Sequence, residues 1–175
     1  MSVVGIDETG SPQGGSKTYL LPPLVLAVLV LVAVLPVGLP SSARFVLPML
    51  PFAAIHYWTL NDRGFMPAVL VFAAGLTIDL VTHGPLGFWS CVFLIGHACA
   101  RWLSGPVSDT RLGRYAGYIL TCALLGWVQW IVASLYYLEW VDAMPFALAG
   151  AATTLFYPLL AILVFTPSPE KASSA

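Results

Sequence analysis

The sequence predicts an all-α, polytopic membrane protein with six transmembrane helices. Of its 175 residues, 59% are hydrophobic and only 9% are charged, whereas soluble domains carry about 25% charged residues. The apolar residues form long runs separated by short polar or proline-rich breaks, and a helix that crosses a bilayer needs about 20 such residues. Six spans nearly exhaust the chain, which leaves no room for a soluble catalytic domain.

The positions of the spans follow from the breaks. Pro22 and Pro23 fall in the opening turn of the first span, where missing amide donors cost little. Pro48 and Pro51 are expected to bend the short second span. The turn between the third and fourth spans is so tight that these two must be antiparallel neighbours. The predicted spans cover residues 19–39, 45–60, 65–81, 85–103, 115–138 and 143–165.

The predicted domain organisation is simple. A six-helix transmembrane domain, residues 19–166, lies between a polar N-terminal tail, 1–18, and a short C-terminal tail, 167–175. The N-terminal tail is a poor basic region for a secretory signal, because it carries two acidic residues and only Lys17. The first helix is therefore expected to remain uncleaved.

The basic residues predict the orientation, since Lys and Arg in short loops stay in the cytoplasm. Six of the seven fall on one side of a six-span arrangement, and only Arg44 falls on the other. Both tails and the loop 104–114 should therefore be cytoplasmic. Arg111 and Arg114 in this basic loop are expected to hold it at the anionic inner leaflet, at about 1 kcal/mol each.

Asp79 is the one carboxylate inside a predicted span. Burying it costs at least ~2.5 kcal/mol even on a lenient insertion scale, so it needs a partner. Gln129 on the fifth span reaches a similar depth, and the two side chains could meet. Thr77 and the backbone amides of the turn 83–87 are the alternatives. Functionally, Asp79 would anchor a partner helix, a proton or a solute; structurally, it would make an interhelical hydrogen bond.

The turn after Asp79 has its own pattern. Gly84 and Gly87 can adopt positive φ, and Pro85 is expected to start the next helix. The free amides of that helix would then point toward Asp79 or toward an anionic group outside.

No metal or cofactor site is expected. His56 and His97 lie near predicted cytoplasmic helix ends, where interfacial snorkelling is the expected role, and no third ligand is placed at their depth. Cys91, Cys99 and Cys122 lack the spacing of a disulfide framework or a zinc site.

Enzymatic activity is not expected either. The chain has no phosphate-binding glycine-rich loop, no GxSxG, no HExxH and no pair of intramembrane carboxylates. Small residues recur instead at helical spacing, which favours helix packing within the bundle or docking of another transmembrane helix. These residues are Gly96 and Ala100, Gly113, Gly117 and Thr121, and Ala143, Ala147 and Ala151.

Residues 51–89 resemble the rod shape-determining protein MreD family, to which the chain is also similar in length and span number. The chain departs from the family in its N-terminal tail, which is longer than expected, and at Val71, where relatives often have glycine. The resemblance rests on the short proline-containing second span ending in Tyr57-Trp58, on Gly75-Leu76 and Asp79-Leu80, and on Gly84-Pro85-Leu86-Gly87.

The resemblance implies a non-enzymatic scaffold of the bacterial elongation complex in the cytoplasmic (inner) membrane. Such a scaffold binds the bitopic protein MreC and thereby contributes to peptidoglycan synthesis and cell shape. Further partners that the resemblance implies are MreB, a RodA-type polymerase and its penicillin-binding transpeptidase. Nucleic acid is not expected as a partner, and homodimerisation stays open. The family positions carried onto this chain are Tyr57, Trp58, Gly75, Asp79, Gly84 and Gly87.

The alternative function is a small-solute-binding subunit of a membrane transporter. The MreD family is similar in helix number and fold to the substrate-binding S components of vitamin transporters. This function needs a pocket that opens outward, lined by Asp79, Gln129 and aromatic residues such as Trp127 or Trp130. A solidly packed interior would count against it.

Overall fold

The described part of the chain is all-helical. A computed structural model describes residues 16–35, 38, 45–61, 66–103 and 110–163, without the side chains of 16–20, 61, 111 and 160–163. Within these residues there are seven helices and no strand. The helices are α1 (Ser16–Ala33), α2 (Val46–Met49), α3 (Pro51–Asn61), α4 (Ala68–Thr82), α5 (Phe88–Leu103), α6 (Arg111–Tyr137) and α7 (Met144–Leu163).

The second predicted span is a broken helix. Its two parts, α2 and α3, meet at Leu50, because Pro48 and Pro51 have no amide hydrogen with which to continue the helical ladder. Two backbone hydrogen bonds between residues three apart flank the break. The Leu50 amide donates to the Leu47 carbonyl and the Ala53 amide donates to the Leu50 carbonyl, both at 3.0 Å. The interruption falls between the two prolines at which the sequence predicted a bend.

The first helix differs from its predicted bounds. α1 begins at Ser16, so residues 16–18 belong to the helix and not to the N-terminal tail. As a result, Pro22 and Pro23 lie inside the helix instead of in its opening turn. Residues 1–15 and 164–175, which hold the rest of the predicted tails, lie outside the described residues.

The fifth predicted span also begins earlier than expected. α6 starts at Arg111, so Arg111 and Arg114 lie in its first turn and not in a loop. The cause is Thr110, whose side-chain oxygen accepts a hydrogen bond from the Gly113 amide at 2.9 Å and so caps the helix. The Arg111 side chain lies outside the described residues, as do residues 104–109.

α3 is the centre of the bundle. From Pro51 to Thr59 only Tyr57 is more than marginally accessible, as expected for a helix that is apolar on all sides. α3 packs against α1, α5 and α7. Trp58, at the end of the predicted second span, is therefore a core residue.

The two histidines are core residues as well, and their expected interfacial position is wrong. His56 is fully enclosed because it lies on the central helix, and His97 is also buried. The Thr59 hydroxyl and His97 Nδ1 are 2.9 Å apart. Three aromatic rings meet the His56 imidazole at steep angles, those of Phe52, Tyr118 and Tyr157.

The outside of the bundle is apolar. Trp127 is 66% exposed and Leu155 is 74% exposed, with many other large apolar side chains around them. Within the described residues one helix, Leu112–Tyr137, is long and apolar enough to cross a membrane. The other apolar helices of this part of the chain are shorter than 18 residues by the same measure. The all-helical prediction is confirmed, and one helix has the length and composition of a span.

A close contact between two helix backbones involves Gly75 of α4. A methyl group added at Gly75 would lie 2.5 Å from both Cα and N of Ser90 and 2.7 Å from the carbonyl carbon of Trp89. These are backbone atoms at the start of α5, which cannot rotate away. Glycine at this position therefore sets how closely α4 and α5 pack.

Gly75→Ala is expected to lower stability by about 1–3 kcal/mol, since the added methyl group forces the two helices apart. Thermal unfolding of the purified protein in detergent, followed by circular dichroism, measures the change. Gly126→Ala is the matched control, because its methyl group would lie 3.7 Å from the Phe146 carbonyl oxygen, an ordinary contact. Equal unfolding temperatures for the two variants would contradict the assignment.

Candidate functional site

The candidate site is the Asp79 carboxylate and the chain reversal that follows it. Asp79 lies one helical turn beyond Gly75 on the same face of α4 and is only 1% exposed. The chain leaves α4 at Thr82 and enters α5 at Phe88. The carboxylate therefore lies between the end of one helix and the beginning of the next.

Both carboxylate oxygens accept hydrogen bonds from α5 and the residue before it. The Gly87 amide donates to Oδ2 and the Trp89 amide to Oδ1, each at 2.9 Å. The Ser90 amide and hydroxyl donate to Oδ2 at the longer distances of 3.4 and 3.3 Å. Four donors thus surround one buried anion.

This geometry is a helix N-cap supplied from another helix. Gly87 precedes the first residue of α5, the place where Ser, Thr, Asp or Asn usually provides a capping oxygen, and glycine has no side chain. Asp79 takes over that role by accepting from the amides of Trp89 and Ser90 in the first turn. The carboxylate also lies at the positive end of the α5 dipole.

The reversal between the helices differs in detail from the prediction. His83, not Gly84, adopts the left-handed conformation that ends α4, with φ +53°, and its Nδ1 lies 3.0 Å from the Leu80 carbonyl oxygen. Gly87 does have a positive φ, +90°. Pro85 does not start α5; its carbonyl accepts from the Phe88 amide at 3.1 Å, so a turn precedes the helix.

The three predicted partners of Asp79 have different outcomes. The turn contributes its Gly87 amide. Thr77 donates to the Ala73 carbonyl of its own helix at 2.8 Å. Gln129 donates to Met49 Sδ at 3.2 Å, so the proposed meeting of Gln129 with Asp79 is wrong. Gln129 faces the α2–α3 break on the central side of α6.

Trp89 and Ser90 are functional residues that the sequence analysis missed. The sequence contained a signal for their role. Gly87 directly precedes the apolar run that forms the next helix and has no side chain to cap that helix, and the nearest carboxylate is eight residues upstream. Tyr57 and Trp58 do not share in the cap; they lie on α3, where their rings meet edge to face at 5.9 Å. Of the residues carrying the resemblance, Gly75, Asp79 and Gly87 are brought together.

The Asp79 carboxylate serves at this site as a hydrogen-bond acceptor that holds two helices together. With four donors around it, the Asp79 carboxylate could bind a solute only by giving up part of the helix cap. The described residues contain no group of three or more His, Cys, Asp or Glu side chains that could hold a metal ion. The cysteines in this part of the chain are free, and Cys91 is exposed.

Two apolar grooves mark the outer surface of the bundle. One, of about 710 Å³, runs between α6 and α7, and its floor includes Ala143, Ala147 and Ala151, the small-residue stripe of the last helix. The other, of about 410 Å³, lies between α1 and α4 and includes Ala73 and Ala74. Both lie on the outside of the bundle and are lined mainly by apolar side chains.

The class of protein that these features define is a helical bundle with an apolar exterior and one helix suited to cross a membrane. No protein-family model, curated protein or solved structure matches the chain. Assignment of a function therefore depends on the residues and their geometry.

Replacing the capping carboxylate tests the site directly. Asp79→Asn is expected to lower stability by about 2 kcal/mol, because hydrogen bonds to a charged group are worth about 1.5–3 kcal/mol. The asparagine side chain has only one oxygen, so it cannot accept from all of the donors that the carboxylate binds. Detergent thermal unfolding measures the effect. Thr77→Val, which removes an exposed hydroxyl from the same helix, should change stability by less than about 0.5 kcal/mol. An unchanged Asp79→Asn protein would show that the cap is unimportant.

Proposed function

We propose that the chain is a polytopic protein of the bacterial cytoplasmic (inner) membrane, with six spans and both termini in the cytoplasm. Support comes from the distribution of polarity: large apolar side chains cover the outside, while Asp79, His56 and Gln129 are enclosed. α6, at 27 residues, is about 40 Å long and exceeds a bilayer core of about 30 Å. The shorter helices are accommodated by local thinning of the bilayer and by their flanking turns.

Charge placement in the described residues supports the proposed orientation. Arg101 lies in the last turn of α5 and Arg114 in the first turn of α6, two helix ends that share one side of the bundle. Glu139 and Asp142 lie in the connection between α6 and α7, at the opposite end. Basic residues inside and acidic residues outside agree with the rule that Lys and Arg stay cytoplasmic.

The proposed role is that of a non-enzymatic scaffold in the bacterial elongation complex, which binds MreC and connects it with peptidoglycan synthesis and cell shape. The observation that carries this proposal is the α4–α5 unit. Gly75, Asp79 and Gly87, three positions on which the MreD resemblance rests, form one packed and hydrogen-bonded structure. A shared motif whose residues cooperate physically supports the resemblance better than scattered identities would.

The α4–α5 unit would act by fixing the shape of the bundle's sides. The described residues form little structure beyond the helices and their short turns, so a partner must be met mainly through helix faces. In lipid such contacts depend on close backbone approach and shape. A rigid, capped helix pair keeps these faces constant for the transmembrane helix of MreC and, by extension, for the RodA-type polymerase, the transpeptidase and MreB.

The alternative, a solute-binding transporter subunit, receives less support. Two of the residues expected to line its pocket are engaged or turned away: Asp79 caps α5, and Trp127 lines the groove on the outer side of α6 and α7. Trp130 donates its indole hydrogen to the Val141 carbonyl at 2.8 Å. These side chains do not form one inward-facing polar cluster.

The topology has a direct test. Protease-sensitive tags on both chain ends are expected to be digested only after spheroplasts are opened, because six spans return the chain to the cytoplasm. A Glu139→Cys variant, with Cys91, Cys99 and Cys122 replaced by alanine, should react with a membrane-impermeant maleimide from outside and so prove that the outer face is accessible. Tags digested from opposite sides would refute the six-span arrangement.

The scaffold role is tested by partner binding. Asp79→Leu and Gly87→Leu are expected to lose co-purification of MreC and to give rounded cells, because the first removes the cap and the second places a side chain at φ +90°. Amounts in the membrane and unfolding temperatures must be measured alongside, so that loss of protein is not mistaken for loss of binding.

Ala98→Leu is the matched control for these variants. Ala98 is exposed on α5, outside the residues that line either groove, and its replacement should leave binding and shape unchanged. Rod-shaped cells and normal MreC recovery with both Asp79→Leu and Gly87→Leu would remove the α4–α5 unit from the mechanism.

A further inference from the structure

The groove between α6 and α7 follows both helices over most of their length. On α6 its lining extends from Tyr115 to Trp130, which is about 22 Å at ~1.5 Å per residue. On α7 the exposed small residues Ala147 and Ala151 leave room along the groove. The hydrocarbon of one membrane leaflet is about 15 Å deep, half of a core of about 30 Å. The groove is therefore long enough to receive a whole acyl chain.

The polar side chains that line this groove donate their hydrogen bonds within the protein. The Thr154 hydroxyl donates to the Gly150 carbonyl at 2.8 Å, and the Tyr115 hydroxyl donates to the Thr154 carbonyl at 3.3 Å. The Trp130 indole donates to the Val141 carbonyl at 2.8 Å. These donors are not available to an occupant, so the groove suits hydrocarbon better than a polar solute.

One end of the groove is aromatic and acidic. Trp130 contacts two other indoles, that of Trp127 edge to face at 6.0 Å and that of Trp140 at 5.5 Å between ring centroids. Trp140 is 84% exposed. Glu139 and Asp142 are exposed in the same connection between α6 and α7, which contains no Lys or Arg. Indole faces and carboxylates both attract cations.

We infer that this groove binds a phospholipid of the outer leaflet whose headgroup carries an ammonium group. An acyl chain lies along Ala147 and Ala151, and the ammonium group meets Trp140 and the acidic connection. The inference rests on the proposed membrane location and orientation, which place this connection outside, and it does not depend on the identity of the protein partners.

The competing occupant is a transmembrane helix of another protein. Lys and Arg that flank a span stay in the cytoplasm, so such a helix brings few cations to the outer end of the groove. An ammonium headgroup brings a positive charge to the membrane surface on the outer side as well. The aromatic and acidic character of this end therefore favours the lipid.

Native mass spectrometry of the full-length protein, released from detergent micelles, compares two lipids with the same acyl chains. Dioleoylphosphatidylethanolamine has an ammonium group, and dioleoylphosphatidylglycerol has none. The first is expected to bind about two- to fivefold more tightly, the effect of an exposed contact between a cation and an aromatic ring. Trp140→Leu should remove this preference. Equal affinities in the unaltered protein would overturn the inference.

A second variant assigns the acyl chain to the groove. Ala147→Trp fills the groove and is expected to weaken binding of both lipids several-fold, in a protein whose unfolding temperature shows that it is folded. Ala73→Trp is the matched control, because Ala73 lines the groove between α1 and α4; it should leave the preference for the ethanolamine lipid unchanged.

Two outcomes of the second variant contradict the inference. Undiminished lipid binding in folded Ala147→Trp protein would show that the lipid lies elsewhere. Loss of MreC co-purification with lipid binding unchanged would make the groove a docking site for a helix. Neither outcome bears on the six-span arrangement, which the tag and maleimide experiment tests separately.

Discussion

The structure depends on the buried Asp79 carboxylate of α4, which caps the N-terminus of α5. Asp79 closes the start of α5 with both of its oxygens, and Gly75, one turn earlier, lets the two backbones touch. Each feature needs the other, because a side chain at Gly75 would move the amides out of reach and a neutral residue at 79 would leave them unsatisfied. The result is a helix pair with little freedom to shift.

The free-energy cost of burying the Asp79 carboxylate is offset because four hydrogen-bond donors surround it. In lipid an unpaired carboxylate is expensive, whereas one that accepts charge-assisted hydrogen bonds at a positive helix end is stabilised. The same reasoning extends to the rest of the bundle, where polar side chains are enclosed and apolar ones face outward.

The central helix shows the opposite solution to a bonding problem. At the α2–α3 break the prolines lack amide donors, and the Gln129 side-chain amide contacts Met49 Sδ. The α4–α5 reversal instead concentrates four hydrogen bonds on one carboxylate.

Residue patterns alone predicted the helical class, the order of the helices, the interrupted second span and the importance of Asp79 with its following turn. These follow from apolar runs, prolines and the cost of a charge in an apolar stretch, all of which are local. The sequence predicted that Pro85 starts the helix and that Gly84 has a positive φ. In the structure α5 starts at Phe88 and His83 has the positive φ. The two differ because local turn chemistry allows several registers.

Which side chains meet depends on how the helices pack, and residue patterns did not predict it. The predicted depths of Gln129 and Asp79 in their spans suggested that the two side chains meet. Packing sets the rotation of each helix about its axis, and as a result Gln129 contacts Met49 while Asp79 contacts Trp89 and Ser90. Likewise His56 and His97 looked interfacial by position along the chain, but α3 runs through the middle of the bundle and encloses them. Distance along a helix can be counted from residues, whereas the direction a side chain faces depends on every neighbouring helix.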